Sequence, residues 1–320
     1  MLLNWFFIII GLAALIAGAE ALVRGASGVA LMTRMTPTVI GLTVVAAGTS
    51  MPELMVSLRA SLSGDAGLAV GNVVGSNILN IGLVLGLTAL VKSLKIQGTT
   101  MKFEWPVLVL ATAQVIMFSR DGLIDRMEGA FLFIAVIVFT AYAIGLNRNG
   151  IVDEDGKPPA TASLGRTGGA AWMFNLAAVV IGGILLALGA DTMVKGAVAV
   201  AIGLGISQSI VGLTIVAVGT SSPELVTSVM AAFRGRDDMA VGNIVGSSIF
   251  NLLAILGAAA LARPLPISEE VLGRDFWWLA GITLLLLPLM WTGRRIARIE
   301  GTILIVCFVA FTTVLLTNLS

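Results

Sequence analysis

Residues 41–60 read GLTVVAAGTSMPELMVSLRA, and residues 212–231 repeat them as GLTIVAVGTSSPELVTSVMA, 171 positions later. Each copy places a glutamate, Glu53 or Glu224, within an otherwise apolar stretch. A carboxylate at membrane depth is energetically unfavourable and marks a candidate functional site. Two such residues at corresponding places predict one site that is shared by the two halves of a duplicated chain.

The duplication extends to both sides of this stretch with the same offset. GNVVGSNILN at 71–80 returns as GNIVGSSIFN at 242–251, and GAEALVRGA at 18–26 returns as GADTMVKGA at 189–197. Because residues 18–26 belong to the repeat, a signal peptide that is cleaved there is not expected.

The composition is that of an integral membrane protein. Mean hydropathy is +1.02 over 320 residues, and only 12% of the residues are charged, against about 25% in soluble domains. The apolar runs are long enough to cross the bilayer as helices and do not alternate as barrel strands do. A net charge of +1 does not indicate a nucleic-acid-binding protein. Cys307 is the only cysteine and histidine is absent, which excludes an internal disulfide, the usual zinc ligand and a histidine proton relay.

The hydropathy pattern predicts an all-α fold with ten transmembrane helices. Their expected ranges are 3–25, 38–61, 67–91, 103–119, 127–146, 172–194, 209–233, 239–261, 274–292 and 298–317. The polar segment 147–171 contains Pro-Pro and Gly-Gly and predicts a linker between two five-helix repeats, 1–146 and 172–320.

The loop charges predict the orientation. With the N-terminus outside, thirteen Lys and Arg residues fall in inside loops and six in outside loops. The positive-inside rule therefore places both termini outside and the linker in the cytoplasm of a multi-pass protein of the cytoplasmic (inner) membrane. Because five helices is an odd number, the second repeat enters the membrane inverted, as in many secondary transporters.

The repeated motif supplies oxygen atoms at a predicted kink. Pro52 lacks an N–H and its ring clashes with the carbonyl of Gly48, so the helix should bend there. Thr49, Ser50 and Glu53 lie three or four residues apart and share one side of the helix. The second copy has the same arrangement at Gly219, Thr220, Ser221, Pro223 and Glu224. The copies differ at Met51 against Ser222 and at Asn77 against Ser248, so the two half-sites are expected to behave differently.

A companion segment carries a polar stripe at intervals of four residues, Asn72, Ser76 and Asn80, and its copy carries Asn243, Ser247 and Asn251. The first asparagine of each stripe is expected to brace the site. The site then offers two carboxylates and many neutral oxygens, the ligands that Ca²⁺ takes in flexible sets of six to eight. Mg²⁺ fits less well because it demands an octahedron, while Na⁺ can use the same oxygens.

At these residues the chain resembles the sodium/calcium exchanger branch of the calcium/cation antiporter superfamily, in its prokaryotic ten-helix form. The family motifs G-T-S-x-P-E and G-N-x-x-G-S-x-x-x-N/D both occur twice, in order. The resemblance implies as ion ligands the carbonyls of Ala46 and Ala217 and the side chains of Thr49, Ser50, Glu53, Ser76, Asn80, Thr220, Ser221, Glu224, Ser247 and Asn251. Asn251 stands where some members have aspartate, so the site is formally −2, which argues against potassium co-transport. Gly75 and Gly246 stand where the proton/calcium branch usually has glutamate, which disfavours that branch.

We therefore expect a secondary active antiporter that exchanges Ca²⁺ for Na⁺ across the cytoplasmic membrane by alternating access, without a cofactor and without enzymatic activity. Coupling to H⁺ is the first alternative, because a glutamate can carry a proton, and a passive cation channel is the second. The expected partners are the two ions and the lipid bilayer, and the chain is expected to be a monomer. Glu20–Arg24 and Asp191–Lys195 are expected to be ion pairs near helix ends, with a gating role as the alternative.

Overall fold

The structure is a computed structural model that describes residues 2–33, 35–147, 169–204 and 217–317. The described residues are almost entirely helical. The helices are α1 (Leu2–Thr33), α2 (Pro37–Thr49), α3 (Met51–Ser63), α4 (Ala66–Val91), α5 (Thr100–Asp121), α6 (Arg126–Asn147), α7 (Gly169–Gly203), α8 (Ala217–Thr220), α9 (Ser222–Phe233), α10 (Asp237–Ala262), α11 (Val271–Arg294) and α12 (Arg298–Thr317). Within these residues eight helices are long and apolar enough to cross a membrane, or nine if the bent pair α2 and α3 is one span.

The predicted helices correspond to these elements, but two predicted ends were wrong. α1 continues to Thr33 and α7 to Gly203, beyond the predicted ends at 25 and 194. The helices continue because the residues that follow Arg24 and Lys195, 25–33 and 196–203, are uncharged and contain no proline that would end a helix. The predicted seventh helix, 209–233, is described only from residue 217 as α8 and α9, and most of the predicted linker, 148–168, lies outside the described residues.

The two longest helices, α1 and α7, pack against each other in antiparallel directions through glycines. Gly11 lies beside Gly189 at one end of the pair, and Gly18 lies beside Gly182 further along. A Cβ on Gly182 would lie 2.6 Å from the backbone nitrogen of Leu22. The glycines recur every seven residues on both helices, at Gly11, Gly18, Gly25, Gly182, Gly189 and Gly196. Small residues at such spacing let membrane helices approach backbone to backbone.

The helices of the two motif stripes, α4 and α10, occupy the centre of the protein. Most residues of their apolar windows are buried, whereas less than half of the window is buried in each of the other single-helix spans of the described residues. Both helices contain a π-helical turn at matching positions, Asn80–Val84 and Asn251–Ile255. A π turn inserts one extra residue into the helical register and is frequent at functional sites. The last asparagine of each polar stripe therefore stands where the helix widens.

Short strand pairs join the loops on each face of the bundle. β1 (Leu94–Lys95) pairs with β4 (Arg295–Ile296), and β2 (Leu123–Ile124) pairs with β3 (Leu265–Pro266), both antiparallel.

These loops define two faces of the protein. Lys92 contacts Asp237 at 2.7 Å, which places the loops after α4, α9 and α11 on one face, the Arg234 face. The guanidinium of Arg263 lies beside Gly64, which places the loops after α3, α5 and α10 on the opposite face, the Gly64 face. Successive spans therefore run in alternating directions.

The close α1–α7 contact predicts different outcomes for two neighbouring glycines. Gly182→Ala should lower the thermal unfolding temperature of the detergent-solubilised protein, because the added methyl group meets the backbone of α1. Overpacking of this kind destabilises by about 1–3 kcal/mol. Gly183→Ala is the matched control, since the nearest atom to its added Cβ, the carbonyl oxygen of Gly48, is 4.0 Å away. Equal melting temperatures of the two variants would contradict a close backbone contact between α1 and α7.

Candidate cation site

Proline breaks the helix immediately before each buried glutamate. Pro52 and Pro223 occupy the first turns of α3 and α9, where the missing N–H is tolerated. The residues before these helices leave the helical conformation, Ser50 at φ −84°, ψ 10° and Ser221 at φ −88°, ψ 7°. α2 and α3 meet at a bend of 50°, as the sequence predicts. Each glutamate thus lies in the first turn of a helix, where the helix dipole favours a carboxylate.

The two repeats exchange hydrogen bonds at this break. The hydroxyl of Ser50 donates to Oε1 of Glu224 at 2.9 Å, and the hydroxyl of Ser221 donates to Oε1 of Glu53 at 3.2 Å. Both glutamates are fully buried. Each carboxylate is therefore held by a residue of the other repeat, and the two motifs form one site.

Thr49 extends the contact between the repeats. Its hydroxyl lies 3.2 Å from Oδ1 of Asn243 and 3.3 Å from the hydroxyl of Ser247. The carbonyl of Ala46, a predicted ligand, accepts the backbone N–H of Ser50 at 3.0 Å and lies 3.2 Å from the Thr49 hydroxyl. In this structure that carbonyl is thus engaged within its own helix.

In the second repeat, Thr220 is buried at the end of α8, and Ala217 begins that helix. Ser76 is buried on α4, one turn before Asn80.

The first asparagine of each stripe braces the helix that carries the glutamate. Nδ2 of Asn72 donates to the hydroxyl of Ser57 at 2.8 Å and to the backbone carbonyl of Glu53 at 3.2 Å. Nδ2 of Asn243 donates to the hydroxyl of Ser228 at 2.9 Å, in the matching geometry. Ser57 and Ser228 were not predicted as bracing residues, although they correspond to each other at the repeat offset of 171 positions.

Several buried polar atoms have no hydrogen-bond partner among the described residues. They include Oε2 of Glu53, Oε2 of Glu224, and both side-chain amide atoms of Asn80 and Asn251. The π turn of Asn80 packs against α9, which carries Glu224, and that of Asn251 packs against α3, which carries Glu53. An unpaired buried polar group costs about 1–3 kcal/mol. Oxygen atoms left free at two carboxylates are suited to a hard cation.

The two half-sites differ at the positions that the sequence indicates. Ser222 is buried and its hydroxyl donates to the carbonyl of Gly219 at 2.7 Å, which satisfies the carbonyl that Pro223 frees. Met51 has no hydroxyl for this role and is 42% exposed.

At the second mismatch, Asn77 and Ser248 both donate to the backbone carbonyl four residues earlier, at 2.7 and 3.0 Å. Oδ1 of Asn77 remains without a partner in the described part of the chain.

The predicted ion pairs Glu20–Arg24 and Asp191–Lys195 are both present, the second at 2.6 Å. Their predicted place near helix ends was wrong, because both pairs lie well inside α1 and α7. Glu20 also accepts a hydrogen bond from Arg234, which follows α9 and links α1 to the Arg234 face. The repeat gave no signal for this contact, because Ser63 is the counterpart of Arg234.

A multi-pass helical protein with two carboxylates and unpaired oxygens buried between its halves belongs to the class of membrane transporters for small cations. The family model of the sodium/calcium exchanger protein matches residues 3–145 and 174–317, and the chain therefore belongs to that family. This membership supports cation/calcium antiport as the class of activity.

Relatives and solved structures agree with the assignment. The protein CaxA of Alkalimonas amylolytica is 39% identical over 97% of this chain and 98% of that protein. Sodium/calcium exchanger MaX1 of Methanosarcina acetivorans is 32% identical over 98% of both chains. The structure of the sodium-calcium exchanger NCX_Mj, soaked with zero Na⁺ and Ca²⁺, matches with a TM-score of 0.84 at 30% identity, over 98% of this chain and 99% of that chain. This likeness confirms the predicted fold class, ten transmembrane helices in two inverted repeats.

The brace predicts coupling between Asn243 and Ser228. Asn243→Ala should destabilise the protein by about 1–3 kcal/mol, because it leaves buried groups unpaired. Combined with Ser228→Ala, the loss should be clearly smaller than the sum of the two single losses, since both remove the same bond. Thermal unfolding of the two single variants and the double variant measures this, and strictly additive losses would show that the bond does not couple the helices.

Proposed function

We propose that the protein is a secondary active antiporter that exchanges Ca²⁺ for Na⁺ across the cytoplasmic membrane. The observation that carries the proposal is the shared site itself, where Ser50 and Ser221 hold the carboxylates of the opposite repeat and leave one oxygen of each carboxylate free. The proposed ligands are the twelve residues that the family resemblance implies.

The charge of the site fits this exchange. Glu53 and Glu224 together contribute a charge of −2. Within the described residues no third His, Cys, Asp or Glu side chain joins them in a group that could hold a metal. One Ca²⁺ or two Na⁺ balance that charge. An empty site would bury two uncompensated carboxylates, which is costly in a low-dielectric interior. The empty protein should therefore resist passing through a closed intermediate, and exchange is favoured over leak.

The relatives favour sodium as the coupling ion. MaX1 is named a sodium/calcium exchanger, and the NCX_Mj structures were obtained after soaking with defined Na⁺ and Ca²⁺ concentrations. We further propose that residues 1–146 and 172–320 form the two repeats, that 147–171 is a cytoplasmic linker, and that the site opens alternately to the two sides of the membrane. Both termini then lie outside.

Sodium-driven calcium uptake tests the proposal directly. Proteoliposomes loaded with Na⁺ and diluted into Na⁺-free medium should accumulate labelled Ca²⁺. Glu53→Gln and Glu224→Gln should each reduce this uptake to background, because a site with one carboxylate no longer balances a divalent ion. Glu269→Gln is the matched control, since Glu269 is exposed in the helical turn just before α11, and it should transport like the wild type.

The same vesicles separate the alternatives. An imposed pH gradient without Na⁺ should drive no uptake, and uptake under that gradient would favour H⁺ coupling. Calcium flux that follows its own gradient without any counter-ion would indicate a channel. Calcium uptake that survives both glutamine substitutions would show that Glu53 and Glu224 do not form the transport site.

Calcium should also stabilise the protein against heat. A ligand that binds only the folded state adds about 2.7 kcal/mol at a concentration of one hundred times its dissociation constant. We expect Ca²⁺ to raise the thermal unfolding temperature at concentrations where Mg²⁺ has little effect, because Mg²⁺ dehydrates reluctantly and needs a regular octahedron. Glu224→Gln should abolish the calcium shift, and an equal shift with both ions would count against a calcium-selective site.

A further inference from the structure

Thr227 is a buried residue of α9 that the family motifs do not include. It is 1% exposed, and its hydroxyl has no hydrogen-bond partner among the described residues. Thr88 and Thr112 satisfy their buried hydroxyls within the helix by donating to the carbonyls four residues earlier at 2.7 and 2.9 Å, whereas Thr283 of α11 is, like Thr227, without a partner among the described residues. The free hydroxyl of Thr227 therefore calls for another partner.

The position of Thr227 directs it to the cation site. It follows Glu224 by three residues, so both side chains lie on one side of α9. α9 packs against the π turn that begins at Asn80, whose side-chain amide is also unpaired. Three residues of helix rise about 4.5 Å. Thr227 therefore lies about one turn from Glu224 towards the Arg234 face.

The first repeat has no equivalent hydroxyl. The counterpart of Thr227, 171 positions earlier, is Val56 on α3. The half-site of Glu53 and Asn251 thus offers the same carboxylate and amide but has no hydroxyl oxygen at this position. Valine and threonine have nearly the same shape, so the difference between the repeats at this position is one oxygen atom.

We propose that the hydroxyl oxygen of Thr227 is a further ligand of the transported cation in the state that is open to the Arg234 face, on the side of the site nearest that face. The proposal rests on the proposed function, which makes Ca²⁺ or Na⁺ the occupant. A neutral hydroxyl oxygen is a suitable ligand for both ions. An ion that enters from the Arg234 face meets Thr227 before it reaches Glu224, whereas an ion from the Gly64 face meets Val56 before Glu53.

The test compares the two faces of the membrane. Calcium uptake is measured in right-side-out and in everted vesicles, and the half-saturating Ca²⁺ concentration is obtained for each. Thr227→Val should raise the half-saturating Ca²⁺ concentration about fivefold when Ca²⁺ is presented to the Arg234 face, since a neutral ligand contact contributes about as much as one hydrogen bond. The opposite face should change by less than twofold. Labelling of Glu269→Cys in a Cys307→Ser background with an impermeant maleimide identifies the vesicles that expose the Gly64 face.

Two further variants separate a ligand from a packing residue. Thr227→Ser keeps the oxygen and removes a methyl group, so it should retain the wild-type affinity. Val56→Thr should lower the half-saturating Ca²⁺ concentration at the Gly64 face. Equal effects of Thr227→Val at both faces, no effect at either, or a Thr227→Ser variant as weak as Thr227→Val would overturn the proposal.

The calcium-induced shift in unfolding temperature gives a second readout that does not need transport. If the wild type binds Ca²⁺ but shows no sodium-dependent flux, the exchange function fails while the ligand role of Thr227 is still tested. Thr227→Val should then need about fivefold more Ca²⁺ than Thr227→Ser for the same shift. Equal calcium requirements of the two variants would reject the ligand role.

Discussion

Two carboxylates buried between the halves of a membrane protein are the constraint on which the rest of this structure depends. Neither Glu53 nor Glu224 has a basic partner in the described salt bridges, and each receives a hydroxyl from the opposite repeat instead. A neutral donor orients one carboxylate oxygen without cancelling its charge. The charge thus stays available to an ion from solution, while a buried arginine or lysine would have made the site permanently neutral.

Much of this site could be predicted from the sequence, because the duplication is visible as a constant offset of 171 positions between matching residues. The proline breaks and the glutamates were predictable, since each follows from residue chemistry at one position. The contacts between the repeats were not predictable. The offset shows which residues correspond to each other, but it does not show which residues touch. Ser50 contacts Glu224, although Glu53 is nearer in sequence. The same limit explains why Arg234 was missed as a partner of Glu20.

The π turns could not be predicted from the sequence either. A stripe of polar residues at intervals of four is compatible with a regular helix, and nothing in the stripe at Asn72 and Asn80 requires a wider turn. A π turn depends on how the neighbouring helices pack against α4 and α10, and that packing exists only in the folded protein. It places Asn80 and Asn251 against the helices that carry the opposite glutamates. The segments that carry the proposed ligands of one repeat thus pack against those of the other repeat.

The two half-sites are nearly symmetric, so the balance between the two open states depends on the residues that differ between the repeats. If two inverted repeats were identical, the states open to either side of the membrane would have equal free energies. Any preference must then come from residues that differ between the repeats, and the Glu20–Arg234 contact is one of them, because Ser63 stands at the equivalent place. The arginine side chain of that pair is half exposed, and exposed ion pairs contribute about 0.2–1 kcal/mol. A bias of that size changes the ratio of two states by at most about fivefold, which leaves both states accessible, as the proposed alternating access requires.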